Sequence, residues 1–152
     1  MKLVDVNILL YSINEDSPYH GPINEWWKSA NDSGERIGLT WLVVIGFLRI
    51  STSPRVMPQP LDADAALRTI KKWLNLDNIG IVSESENHWE LLQTLVEENG
   101  ILGDLMTDAH LAALAKSHGA TVVSCDKDFS KFNGLHWENP LNGSLVDKIE
   151  RP

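Results

Sequence analysis

The chain carries a single cysteine, Cys125, in 152 residues. One thiol closes no internal disulfide framework and supports no multi-cysteine zinc site; it fits a reducing compartment. Positive charge is also scarce. Thirteen Lys and Arg stand against 21 Asp and Glu, for a formal net charge of −8. That argues against a protein that holds nucleic acid through a broad basic surface. It does not exclude one whose carboxylates hold a cation that in turn meets a phosphate. Long hydrophobic runs are absent: the longest uncharged stretch, residues 37–48, falls short of the ~20 apolar residues a bilayer-spanning helix needs. Asp5 interrupts the N-terminal apolar run too early for a secretory signal, so the expected location is cytoplasmic, with no membrane association. Repeats and low-complexity tracts are missing too. The one linker-like stretch, residues 53–60 with three prolines, reads as a loop inside one domain spanning 1–152.

What is present is an ordinary globular balance, 43% hydrophobic and 22% charged, in a chain long enough to bury a core. Short apolar runs predict strands at residues 2–6, 37–40, 79–82 and 120–124, with a last short one near 135–137. Helical patterns separate them, at residues 7–12, 23–30, 41–50, 62–74, 86–98 and 104–118. In the fourth of these, Leu67, Ile70 and Leu74 are expected on one face, with Arg68, Lys71 and Lys72 opposite. Asn99-Gly100 and Gly119 are good helix stops. Strands alternating with helices define an α/β class with a mainly parallel sheet.

In such sheets ligands sit beyond the carboxyl ends of the strands. Two acids lie there: Asp5, after the first strand, and Asp126, after Thr121-Val122-Val123-Ser124. Asp5 also suits a helix N-cap for the segment starting at Val6. Asp108 lies beside the apolar stripe of Ala109, Leu111, Ala112 and Ala115, and Asp104 is one turn before it. Asp104 after Gly103 reads first as an N-cap. Asp126 and Asp128 also fit a structural turn anchored by Phe129. Clustered carboxylates repel by about 4 kcal/mol at ~4 Å and an effective dielectric of 20. A cluster therefore needs a cation or raised pKa values. Mg²⁺, which takes hard oxygen ligands and keeps several waters, is the natural candidate.

Asp5-Val6-Asn7-Ile8-Leu9-Leu10, Thr107-Asp108-Ala109-His110-Leu111-Ala112-Ala113-Leu114-Ala115 and Asp126-Lys127-Asp128-Phe129 resemble the PIN domain, and within it the VapC-type toxins of VapBC toxin–antitoxin pairs. Gly46-Phe47-Leu48-Arg49-Ile50 and Gly134-Leu135-His136-Trp137 extend the resemblance over nearly the whole chain. It implies a three-layer α/β/α sandwich and a Mg²⁺- or Mn²⁺-dependent endoribonuclease, with RNA (tRNA or mRNA) as substrate, a VapB-type antitoxin as partner and a homodimer as assembly. It implies Asp5, Asp108 and Asp126 as metal ligands and catalytic residues, with Asp128 a weaker candidate. One departure stands out. Many PIN domains place a Glu on the helix that here contains Gly46, and residues 41–50 hold no acid. Asp104 is the candidate to supply that charge.

Arg49 and Asn7 are candidate substrate contacts, and Arg55 is a further cation near the Pro-containing loop. Ser124 and Thr107 are candidate hydrogen-bond supports for the carboxylates. Trp73 and Trp89 are expected in the core. Trp26 and Trp27 diverge by about 100° and cannot both face inward, which predicts one exposed ring. The histidines are scattered and form no recognisable metal set. Two rival readings remain. In a phosphatase, Asp5 would be the nucleophile, but phosphatases of the haloacid dehalogenase type carry a second acid two residues on, where this chain has Asn7. The other rival is a degenerate PIN-fold module that binds RNA or protein without cutting.

Overall fold

The computed structural model describes residues 1–142, so the last ten positions of the domain expected over 1–152 lie outside the described residues. The elements run β1 (Lys2–Val4), α1 (Val6–Ile13), α2 (His20–Asp32), β2 (Ile37–Leu39), α3 (Trp41–Ser51), α4 (Ala63–Leu74), β3 (Ile79–Ile81), α5 (His88–Asn99), α6 (Leu105–Ser117), β4 (Thr121–Val123) and β5 (Trp137–Glu138). A 3₁₀ turn over Lys127–Lys131 follows β4.

Among the described residues the strands form one sheet in the order β3-β2-β1-β4-β5, with every pair parallel. Strand periodicity assigns the two faces. Val4 and Val123 join a core with α1–α4, while Leu3 and Val122 join a second core with α5 and α6. The result is the expected α/β/α sandwich, helices covering both faces of a parallel sheet. Successive strands step outward from β1 to β2 to β3, and the chain then returns across the sheet to place β4 on the other side of β1. The direction of winding thus reverses between β1 and β4, the point at which such sheets open a crevice.

Local chemistry explains several boundaries. The first strand stops at Val4 because Asp5 caps α1, its Oδ1 accepting from the Val6 N–H at 2.7 Å. Thr40 caps α3 through the Val43 N–H at 3.2 Å, and Asp62 caps α4 through the Ala65 N–H at 2.7 Å. Gly100 ends α5 at φ +60°, a conformation open to glycine. Gly38 on β2 lies where sheet and second core meet closely: a Cβ there would stand 2.4 Å from Leu3 Cδ2 and 2.5 Å from Val82 Cγ2.

Three packing expectations are corrected. The buried stripe of α4 is Ala66 and Ile70, with Trp73 and Leu74 packed beside them, and Leu67 is 55% exposed. Trp89 is 67% exposed at the start of α5, because that helix turns Leu91, Leu92 and Leu95 to the sheet instead. Trp27 is buried as one of the adjacent pair must be, but Trp26 is half-buried too, its Nε1–H donating to Glu138 at 2.8 Å. Glu138 also pairs with Lys2, so one carboxylate ties α2 to the first and last strands. No helix among the described residues is long and apolar enough to cross a membrane.

Candidate metal and active centre

β1 and β4 are neighbours in register, Val4 opposite Val123, so their carboxyl ends deliver Asp5 and Asp126 to the same side of the sheet. The Asp5 N–H donates to the Val123 carbonyl at 2.9 Å, which locks the two strand ends together. Ser124 follows, fully buried. Its Oγ donates to Asp5 Oδ2 at 2.7 Å and accepts from the Asp126 N–H at 3.0 Å. The Asn7 amide completes the frame, donating from Nδ2 to Asp5 Oδ2 and to Ser124 Oγ, both at 3.0 Å, while its Oδ1 accepts from the Cys125 N–H at 3.2 Å. Asn7, a candidate substrate contact from sequence, makes these bonds within the frame and also lines the cleft beside it.

A further acid comes from α6. Asp108 sits in its first turn, half-buried, opposite the strand ends. Oxygens of Asp108, Asp126 and Asp128 lie within 4.8 Å of one another. Asp128 reaches this position because Asp126 caps the 3₁₀ turn, its Oδ1 accepting from the Asp128 N–H at 2.9 Å. Lys131, one turn on, pairs with Asp128 at 2.7 Å.

Electrostatics record the crowding. Burial pushes the Asp108 carboxyl up to about 7, and the nearby charges of Asp5, Asp126 and Asp128 add to the rise, against a smaller opposing effect of Lys131. Asp5 is also raised, first by burial, although the bonds from Ser124 and Val6 favour its charged form. Three carboxylates within one ligand-sized space, one of them raised by burial and then by the charges beside it, are a donor set suited to a hard divalent cation.

The acids form one end of a cleft of about 280 Å³. Val6, Leu42, Gly46, Ile50 and Leu111 form its apolar wall, and Arg49 and Thr107 also line it. Arg49, a candidate substrate contact from sequence, is thus on the same cleft as the acids. Arg55 is exposed on the 53–60 loop.

Four site residues expected from sequence divide clearly. Asp5, Asp108 and Asp126 come together. Asp104 does not: it is exposed, precedes α6 at the N-cap position without a side-chain cap bond, and is outside the carboxylate group. Its backbone is already helical, φ −62° and ψ −23°, but it stands one residue before α6 with its side chain in solvent. The added charge comes from Asp128. Of the two supports proposed from sequence, Ser124 holds Asp5, whereas Thr107 donates to the Asp104 carbonyl at 2.9 Å. The histidines are less scattered than the sequence suggested. His88 and His110 meet across α5 and α6 with ring nitrogens 2.8 Å apart, and Glu84 lies 3.3 Å from the far nitrogen of His110.

An all-parallel sheet reversing at β1 and β4, with aspartates gathered over the reversal, defines a class, and the chain belongs to it: residues 2–135 match the PIN domain family. Its similarities within that class are specific. The chain is 36% identical to Ribonuclease VapC37 of Mycobacterium tuberculosis over 140 residues, covering 92% of this chain and 97% of that protein. It is 35% identical to Ribonuclease VapC33 of the same species over 141 residues, covering 93% and 99%. Among solved structures, a chain of VapBC2 from Rickettsia felis bound to a promoter DNA fragment shares the fold at a TM-score of 0.68 and 19% identity, covering 91% of this chain and 97% of that one.

Proposed function

We propose that this protein is a divalent-metal-dependent endoribonuclease, the toxin of a toxin–antitoxin pair, active in the cytoplasm as a homodimer and silenced by a VapB-type antitoxin. The observation that carries the reading is the convergence of Asp5, Asp108, Asp126 and Asp128 at the strand-order reversal. Kinship with proteins named as VapC ribonucleases supports the substrate and the partner.

Asp108 and Asp126 would hold the ion, with Asp128 beside them and Asp5 acting directly or through water. Mg²⁺ or Mn²⁺, when bound, supplies a Lewis acid to a phosphoryl oxygen and lowers the pKa of a coordinated water. The protein's own groups do the rest. Ser124 and Asn7 fix the rotamer of Asp5, and the Ser124 bond favours its charged form against the effect of burial. Asp126, exposed at the cleft mouth, orients the attacking water and takes up its proton. Arg49 offers a cation to the RNA backbone at the cleft. In-line attack of the water oxygen on phosphorus forms a new P–O bond as the bond to the 3′ oxygen breaks, and that oxygen takes a proton from solvent, leaving 5′-phosphate and 3′-hydroxyl ends.

The test is cleavage of a structured RNA such as tRNA. Cutting should require added Mg²⁺ or Mn²⁺, stop with chelator, and fall at least about 100-fold in Asp108→Asn, beyond the ~10–100-fold loss typical of groups that only support a metal ligand. Cutting that survives both chelator and the substitution would overturn the reading. RNA binding without cutting at any metal concentration would favour the non-catalytic module instead.

A further inference from the structure

Three histidines hold the segment between β3 and α5 against α6. His118 Nε2 lies 2.9 Å from the Ser83 carbonyl, His110 Nε2 lies 3.3 Å from Glu84 Oε1, and His110 Nδ1 lies 2.8 Å from His88 Nε2. This cluster is apart from the carboxylate cleft. Residues two apart in an α-helix diverge by about 200°. One turn of α6 therefore points Asp108 to the cleft, which it lines, and His110 to the start of α5.

Glu84 settles where His110 carries its proton. A carboxylate takes a donor, so Nε2 holds the hydrogen and Nδ1 keeps a lone pair. That lone pair faces His88 Nε2, and the two nitrogens share a single proton. The rings meet edge to face, at 79° with centroids 4.7 Å apart. An imidazole gripped by a carboxylate at one nitrogen, with the other turned to a second imidazole, is how proteins orient a histidine metal ligand. The spacing fits an ion as well. Two nitrogens about 2.0–2.1 Å from one metal, at right angles to each other, stand roughly 2.9 Å apart, and a tetrahedral pair needs only about 0.5 Å more. His88 Nδ1 is buried with no hydrogen-bond partner. It can take the shared proton when an ion takes Nε2, so His88 changes tautomer and releases no proton. The N–H then stays unpaired, which holds the affinity below that of a closed structural zinc site.

We propose that His88 and His110 form a site for a divalent transition-metal ion of the imidazole-binding class (Zn²⁺, Ni²⁺ or Cu²⁺), with Glu84 orienting His110 and water completing the coordination. Ligand chemistry separates it from the aspartate centre, since Mg²⁺ takes carboxylate and water oxygens and leaves imidazole to these softer ions. An ion here ties α5 to α6, the helix that carries Asp108, and stabilises the fold by mass action. The site stands apart from the nuclease reading.

The experiment titrates Zn²⁺ into full-length Asp108→Asn in excess Mg²⁺, which keeps Zn²⁺ off the carboxylates. The first equivalent should shift the ring ¹⁵N resonances of His88 and His110 and leave those of His20 and His136 in place. By calorimetry, His88→Gln should weaken Zn²⁺ binding at least tenfold. Glu84→Gln should weaken it about tenfold, as for other groups that orient a metal ligand. His20→Gln should bind as the parent does. The resonance shifts need no substitution within the site, so they decide the matter if His88→Gln misfolds. First-equivalent shifts at other histidines, no shift at all, or a folded His88→Gln with unchanged affinity overturn the site. Zn²⁺ binding by wild type that disappears in Asp108→Asn also overturns it, by assigning the ion to the carboxylates. None of these results touches RNA cutting, which is read separately.

Discussion

Asp108 concentrates the energetic cost of the site in one carboxyl. Its pKa is raised from 3.8 to about 7, so between these values the native state holds a proton that the unfolded chain has released. Stability of the metal-free protein must then fall as pH rises from about 4 to 7 and level off above. Asp108→Asn removes that dependence. Thermal melts in chelator should show the variant melting higher than wild type at pH 8, with a shallower slope between pH 4 and 7; a destabilised variant with an unchanged slope would make Asp108 structural. Ser124 makes the opposite prediction. It is buried and serves Asp5, Asn7 and the Asp126 N–H at once. Ser124→Ala leaves buried polar groups unpaired and should lower stability by about 1–3 kcal/mol. Because Asp5 loses a bond that favours its charged form, cutting should also fall, by about 10–100-fold as for other supports of metal ligands. A variant as stable and as active as wild type would show that the frame around Asp5 is dispensable.

Elements position these residues through contacts that propensity does not record. β2 passes so close to β1 and Val82 that Gly38 has no room for a Cβ. Gly38→Ala pushes against a fully buried Leu3 and a stiff, branched Val82, and overpacking of this kind costs about 1–3 kcal/mol. Chemical denaturation should show a reduced midpoint with unchanged slope, and an unchanged midpoint would mean that the sheet yields at that point. Helix identity and order were readable from apolar periodicity, turn residues and caps. The exposed Leu67 and Trp89 were not readable, because a hydrophobic residue at the margin of an amphipathic stripe goes in or out according to what its neighbour element covers. Asp104 was misplaced for a similar reason: spacing from Asp108 does not say that the side chain at the cap position faces solvent and not the strand ends.

For the whole molecule, the acidic centre and the net charge of −8 act together. Binding of a cation to the native state alone raises stability by about 2.7 kcal/mol at a free concentration 100 times its Kd. Mg²⁺ or Mn²⁺ should therefore raise the melting temperature of wild type and much less that of Asp108→Asn. Equal shifts in the two would place the ion elsewhere. Affinity for the cation should increase with pH up to about 7 as Asp108 loses its proton. With few cations near the cleft beyond Arg49, RNA affinity should depend only weakly on salt. A log–log slope near that of about one to three single-strand phosphate contacts is expected. A slope several times steeper would reveal a basic tract outside the cleft.

The sequence alone determined the α/β class, the run of elements and the three principal aspartates, because periodicity, caps and strand ends are local and each leaves its mark within a few residues. It also isolated Gly46 as the one non-acidic departure on α3, without saying what the departure does. Tertiary structure decided the rest. It chose Asp128 over Asp104, tied Asn7 on the cleft to Asp5 and Ser124, and paired His88 with His110 across two helices. It also showed that the gap at Gly46 opens into the same cleft as the carboxylates. These outcomes depend on which strand ends and helix faces meet at the reversal between β1 and β4. That meeting joins residues more than a hundred positions apart, a relation set by packing and register rather than by any local pattern.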